Sequence, residues 1–200
     1  MKRIIDIFAS AFMLILLFPF GLVIALLIAC DSRGGVFYRQ SRVGRYNRDF
    51  TLYKFRTMRT DADRLGLLTV GARDPRVTRV GYYLRKYKID ELPQLLNILS
   101  GDMSFVGPRP EVRKYVDLYN DEQKKVLSVR PGLTDYASIA YINENEILEK
   151  ANDKEQTYIN EIMPEKIKLN MKFIQNPSLY QYFKIIFLTI FSFLQRFVVC

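Results

Sequence analysis

The run from Ile7 to Cys30 carries no charged side chain over 24 residues. As a straight helix it would reach about 36 Å, enough to cross a bilayer. It is long for the apolar region of a signal peptide, and no small-x-small cleavage site clearly closes it. Two features weigh against a simple crossing. Pro19 stands near the middle, between Phe18 and Phe20. A proline removes one helical hydrogen bond and clashes with the preceding turn, so a break is expected at Phe18-Pro19. Both flanks are also basic: Lys2 and Arg3 precede the run, and Arg33, Arg39, Arg42, Arg45 and Arg48 follow it. Basic flanks favour the cytoplasmic face, and a spanning helix places only one of them there. A re-entrant helix that bends at Pro19 and returns places both. The residues alone leave both arrangements open.

Composition narrows the chemistry. The 200 residues include no histidine and two cysteines, Cys30 in the apolar run and Cys200 at the last position. That removes Ser-His-Asp and Cys-His catalysis, a disulfide framework and His-ligated metals. Carboxylates, Lys, Arg, Tyr, hydroxyls and hard metal ions remain. The net charge is +9, which implies an anionic partner. Its distribution is uneven. Residues 31–60 carry eight basic and two acidic side chains, whereas residues 131–170 carry four and eight. Positive charge just after an apolar segment favours anionic lipid or a phosphorylated ligand near a membrane. No nucleic-acid-binding signature is visible.

The pattern along the chain predicts an α+β fold, mainly helical, with a small β-hairpin and amphipathic helices at the membrane interface. An anchor over 1–33 would precede a folded domain over 34–200. The hairpin is expected from Val36 to Ser41 and Phe50 to Phe55, around a loop at Gly44 to Asn47. Residues 56–66 read as helical or irregular. Helices are expected over Val77 to Lys86, then from an N-cap at Asp90 to Gly101. A single charged helix is expected from Glu111 to Leu127, and acidic helical segments from Glu144 to Leu169. Ile185 to Gln195 is a second uncharged run, too short to span, and fits a core or an interfacial helix.

Asp90-Glu91 follows Arg85, Lys86 and Lys88. A carboxylate beside cations stays ionised and can attack phosphorus. Two adjacent carboxylates can also hold Mg²⁺, which takes oxygen ligands and bridges to phosphates. The plainer reading is a helix cap with a dipole partner. Pro108-Arg109-Pro110 fixes one guanidinium whose planar fork suits phosphate. Arg130, before Pro131-Gly132, has similar logic. In the hairpin, Lys54 and Arg56 alternate with Tyr53 and Phe55, giving one basic strand face.

Four stretches occur in this order: LYKFRTM at 52–58, KIDELPQLLNIL at 88–99, GDMSFVGPRP at 101–110 and RPGLT at 130–134. Together they resemble the bacterial sugar transferase family, the small monotopic polyprenyl-phosphate phosphoglycosyl transferases. The length resembles the minimal catalytic form rather than relatives with further membrane helices upstream. The resemblance implies transfer of a sugar 1-phosphate from a UDP-sugar to undecaprenyl phosphate, the first membrane step of a bacterial surface glycan pathway such as an exopolysaccharide. Asp90 would attack the sugar-bearing phosphate, release UMP and form a covalent aspartyl phosphosugar, which the lipid phosphate then takes. Glu91 would assist, through Mg²⁺ or by accepting a proton, with Asp90 and Glu91 as the metal-holding pair. Lys54, Arg56, Arg85, Arg109 and Arg130 are the expected substrate-binding residues.

The resemblance also implies a re-entrant helix broken at Phe18-Pro19, a monotopic protein of the bacterial inner membrane and a catalytic domain on the cytoplasmic face. Membrane phospholipid would be a further partner, nucleic acid would not, and a homodimer stays open. Two departures stand out. Phe18 replaces a serine common before the membrane proline. Asp135-Tyr136-Ala137-Ser138 stands where many members read Gly-x-Ala-Gln. The rival reading is a membrane-anchored scaffold that binds anionic lipid or partner glycosyltransferases.

Overall fold

Helix α1 runs from Lys2 to Asp31 as one element. This computed structural model describes residues 1–60, 62 and 74–198. The helix runs through Phe18-Pro19 without interruption, with Pro19 inside it. Proline costs one hydrogen bond and one carbonyl clash, which helical turns on both sides can absorb. Most of α1 is bare. Phe8, Phe12, Ile15, Leu16, Phe18 and Phe20 are all exposed, while Asp6, Ser10 and Ile28 are buried. By length and composition α1 could cross a membrane.

Both ends of α1 nevertheless rest on one body. Near the start, the Arg3 guanidinium donates to the carbonyls of Ile98 and Leu99 at 2.5 and 2.8 Å. At the other end, Asp31 accepts from the Val80 N–H at 2.9 Å. Between them, Met13, Leu14 and Leu17 pack on Leu52, Leu95, Ile98 and Met103.

The hairpin is present and longer than expected. Strand β1 (Phe37–Val43) pairs antiparallel with β2 (Asp49–Phe55), with Phe37 opposite Phe55 and Val43 opposite Asp49. A 3₁₀ turn at Arg45–Asn47 closes it, with Tyr46 and Asn47 at positive φ. The outer edge of β2 is satisfied by a side chain: Asn97 accepts from the Tyr53 N–H at 3.0 Å and donates to the Thr51 carbonyl at 2.7 Å. One amide therefore does the work of a third strand at that point.

Helix α2 (Arg79–Lys86) starts where Thr78 accepts from the Gly81 N–H at 3.0 Å. Helix α3 spans Gln94–Ser100 and stops at Gly101, φ 100. Strand β3 (Ser104–Val106) then pairs with β4 (Gly132–Thr134) in parallel. No local pattern in the chain announces this pairing.

The single helix expected from Glu111 to Leu127 is replaced by α4 (Arg113–Val116), α5 (Asp121–Lys124) and a 3₁₀ turn. Asn120 explains the split. Its side chain accepts from the Gln123 N–H, and the Gln123 side chain accepts from the Asn120 N–H, both at 2.9 Å. That reciprocal box starts a new helix.

Further on lie α6 (Tyr136–Ala140), α7 (Glu144–Lys150), α8 (Lys154–Thr157), α9 (Met163–Gln175) and α10 (Leu179–Val198). Val116, Tyr115, Tyr158, Ile162 and Ile167 form a core beneath α9. Helix α10 buries Tyr182 and Ile185 and leaves Phe183, Phe187, Ile190, Phe191 and Leu194 exposed. It is thus core on one face and bare and apolar on the other. Of the segment 56–66, residues 61 and 63–66 lie outside the described residues, as does Cys200.

Candidate active site

The carboxylate pair is presented by a tight turn rather than by a helix start. After α2, Lys88 takes a left-handed backbone, φ 57, and a 3₁₀ turn follows at Ile89–Glu91. A non-glycine residue at positive φ costs energy and needs support from its surroundings. The turn points Asp90 and Glu91 inward, at 7% and 9% exposure. Helix α3 begins only at Gln94, and Pro93 precedes it. The expected N-cap at Asp90 is therefore overturned: the chain folds through Leu92-Pro93 as a turn, and Asp90 caps nothing. With that role gone, its burial calls for another explanation.

The two carboxylates face opposite electrostatics. Lys54 from β2 donates to Glu91 Oε1 at 3.1 Å. Arg109 grips the same carboxylate with both Nη atoms, Nη2 on Oε1 and Nη1 on Oε2 at 3.4 Å. Burial alone would raise the Glu91 carboxyl, but Arg109, Lys54 and Lys88 together hold it well below the usual range. Asp90 moves the other way. Burial raises it, helped by the Glu91 charge and opposed by Lys54, Lys88 and Arg85. The neighbouring cations thus do not hold Asp90 at its ordinary value, as the sequence suggested; desolvation outweighs them. Asp90 Oδ1 is buried and accepts no hydrogen bond. A buried acceptor left unpaired is costly in a folded chain and marks a place awaiting a partner.

Arg109 arrives through the β3–β4 crossing. The Gly107 N–H donates to the Thr134 carbonyl and the Gly132 N–H to the Pro108 carbonyl, both at 3.0 Å. The backbones approach so closely that a Cβ on Gly132 would lie 2.1 Å from the Gly107 nitrogen. Two distant motifs, GPRP and RPG, are thereby joined.

Of the five expected substrate-binding residues, Lys54 and Arg109 converge on Glu91. Arg85 is half-buried; burial lowers its pKa, against the pull of Asp90 and Asp74. Arg56 and Arg130 are placed elsewhere. Strand β2 ends at Phe55, so the alternation stops before Arg56. Its guanidinium donates to the carbonyls of Ser32 and Arg33 at 2.6 and 3.0 Å, closing the end of α1. Arg130 donates through Nε to the Gly101 carbonyl at 2.8 Å, behind α3. Lys88 joins the site without having been expected there: its charge acts on both carboxylates. The one signal for it in the chain is its place two residues before Asp90.

No group of three metal-binding side chains occurs among the described residues. The pair still fits a hard cation in part. Asp90 Oδ1 is free, and Glu91 Oε2 carries only the 3.4 Å contact. Mg²⁺ commonly takes one or two carboxylates and completes its shell with substrate phosphates and water.

The match to the bacterial sugar transferase family model covers residues 1–196. The chain belongs to that family. A UDP-N-acetylgalactosamine-undecaprenyl-phosphate N-acetylgalactosaminephosphotransferase of Aeromonas hydrophila is 40% identical over 199 residues, 98% of this chain and 44% of that protein. A UDP-glucose:undecaprenyl-phosphate glucose-1-phosphate transferase of Caulobacter vibrioides is 37% identical over 196 residues, 96% of this chain and 69% of that protein. An undecaprenyl-phosphate glucose phosphotransferase of Komagataeibacter xylinus is 37% identical over 94% of this chain and 35% of its own length. The chain therefore spans less than half the length of two of these relatives.

Proposed function

We infer that this chain transfers a sugar 1-phosphate from a UDP-sugar to undecaprenyl phosphate, with Asp90 as the nucleophile. The observation that carries this is the unpartnered buried oxygen of Asp90 beside a Glu91 already neutralised by Arg109 and Lys54. Phosphoryl transfer needs positioning and charge neutralisation more than covalent help from many groups. Asp90 supplies an electron pair to the sugar-bearing phosphorus. An Asp90 O–P bond forms, the P–O bond to the nucleotide breaks, and UMP leaves with those electrons. An oxygen of the lipid phosphate then attacks the same phosphorus and returns Asp90 as a carboxylate.

Glu91 stays ionised beneath Arg109 and Lys54, which orients both cations towards the incoming diphosphate. Arg85 lies within electrostatic reach of Asp90 and adds positive charge where the phosphates must sit. Asp90 and Glu91 would hold Mg²⁺, which supplies charge neutralisation at the diphosphate. The bare apolar faces of α1 and α10 suit a protein seated in one leaflet. With both ends of α1 on one body, we place it re-entrant in the bacterial inner membrane, carboxylates on the cytoplasmic side where both basic flanks are favoured.

The test incubates the detergent-purified protein with Mg²⁺ and labelled UDP-sugars, led by UDP-N-acetylgalactosamine and UDP-glucose. Without lipid, one sugar should give UMP and a phosphosugar adduct on Asp90. With undecaprenyl phosphate it should give the lipid diphosphate sugar. Failure of both across a broad panel would return the chain to the scaffold reading.

A further inference from the structure

Asp135 is 2% exposed and gathers three donors from three parts of the fold. Its Oδ2 accepts from the Arg109 main-chain N–H at 2.9 Å and from Asn170 Nδ2 of α9 at 2.7 Å. Its Oδ1 accepts from the Ser138 N–H at 2.5 Å, at the start of α6. The Arg109 contact is the unusual one. Pro108 and Pro110 have no N–H, so Arg109 offers the only main-chain donor of that tripeptide. The loop is held on its entry side by the Gly107 and Gly132 N–H groups. On its exit side the Pro110 carbonyl accepts from Arg42 Nη1 at 3.1 Å. At the apex, the Arg109 N–H reaches Asp135.

We propose that Asp135 is a positioning residue for the transfer reaction, holding the Arg109 backbone so that its guanidinium meets Glu91 beside Asp90. Asn170 orients the Asp135 carboxylate by occupying the same oxygen from the far side. This rests on the transferase reading above. An ionised acceptor makes the stronger hydrogen bond to an N–H, and a guanidinium that must meet one carboxylate in two-pronged fashion tolerates little displacement. The acidic stretch after residue 131 thereby acquires a purpose, since one of its carboxylates braces the cation that balances Glu91.

Asp135→Asn separates this role from helix capping. Asparagine caps helices as well as aspartate does, so the bond from Ser138 can persist. Its amide then turns a donor towards the Arg109 N–H, which is a donor itself, while Asn170 can turn its unpartnered Oδ1 to accept. We expect the variant to fold, to lose about tenfold or more in kcat/KM for the UDP-sugar, and to exchange the Arg109 amide faster by mass spectrometry. The flanking prolines leave that amide with no exchangeable main-chain N–H on either side. The same substitution in an Arg109→Lys background should cost less than twofold further, because residues acting through one another are not additive. Retention of kcat/KM within twofold, unchanged exchange at Arg109, or the full loss repeated in the Arg109→Lys background would each overturn the proposal. Loss of UMP release by the unmodified protein would instead sink the transferase reading beneath it.

Discussion

The Tyr182 hydroxyl donates to Asp6 Oδ1 at 2.7 Å, joining the last long helix to the first across 176 residues. The same oxygen accepts from Ser104 Oγ at 3.1 Å and from the Phe105 N–H at 3.2 Å. One oxygen of a carboxylate buried in the first turns of an apolar helix thus takes three donors, one from α10 and two from β3. Its role is to seat α1 on the strand that leads to Arg109.

Asp6→Ala should therefore destabilise strongly. It strands two buried donors, Tyr182 and Ser104, and the half-buried Phe105 N–H; a buried donor left unmet costs about 1–3 kcal/mol, with partial relief from relaxation. Tyr182→Phe removes one donor and its partner bond and should cost only about 1 kcal/mol. Thermal melts of the two variants in one detergent should keep that order. Equal melting points would refute the seating role.

Asp90 and Glu91 should respond to neutral substitution in opposite ways. Ionised Asp90 is disfavoured by burial, so Asp90→Asn should match or exceed the parent's melting temperature at neutral pH while abolishing UMP release. Glu91→Gln leaves Arg109 and Lys54 without their counter-charge and should cost about 1–3 kcal/mol, discounted because the Arg109 side chain is 35% exposed. Melting and single-turnover UMP release on the same samples check both.

The pH dependence follows from the two directions. Glu91 is depressed, so its stabilisation is present above its unfolded-chain value and is lost as pH falls through the folded value. Asp90 is raised, so its protonated form favours the fold, and that contribution fades as pH rises through its folded value. A nucleophile must be ionised. UMP release should therefore collapse on acidification through the raised Asp90 value, before the loss of Glu91 charge unfolds the site. A rate profile that falls together with the melting temperature would contradict this order.

Arg56 and Lys54 should part company in kinetics. Arg56 is buried and bonds the carbonyls that close α1. Arg56→Met should lower the melting temperature and leave KM for the UDP-sugar within about twofold below that temperature. Lys54→Met should cut kcat/KM at least tenfold with a smaller change in melting. A raised KM in the Arg56 variant would restore it to the substrate site.

Local signals carried much of this architecture. Asp90-Glu91, Lys54 and Arg109 stand in short motifs whose chemistry is readable in a few residues, and the hairpin follows from its alternation. What these motifs leave out shares one cause, which is contact across long sequence distances. Arg56 and Arg130 stand in motifs that suit phosphate, and the fold brings against them the carbonyls just beyond α1 and α3. Asp6 is a lone charge until Tyr182 meets it. Asp135 looks like a departure from a pattern until the parallel β3–β4 pair delivers the Arg109 amide to it.

The crossing of Gly107 and Gly132 leaves no space for even one methyl group. A lesion there would not stay where it was made. Alanine at either glycine would wedge apart two loops and detach, in one stroke, the arginine that balances Glu91 and the arginine that closes α3. A genetic screen would score such a change as catalytic or as structural depending only on which half it happened to read.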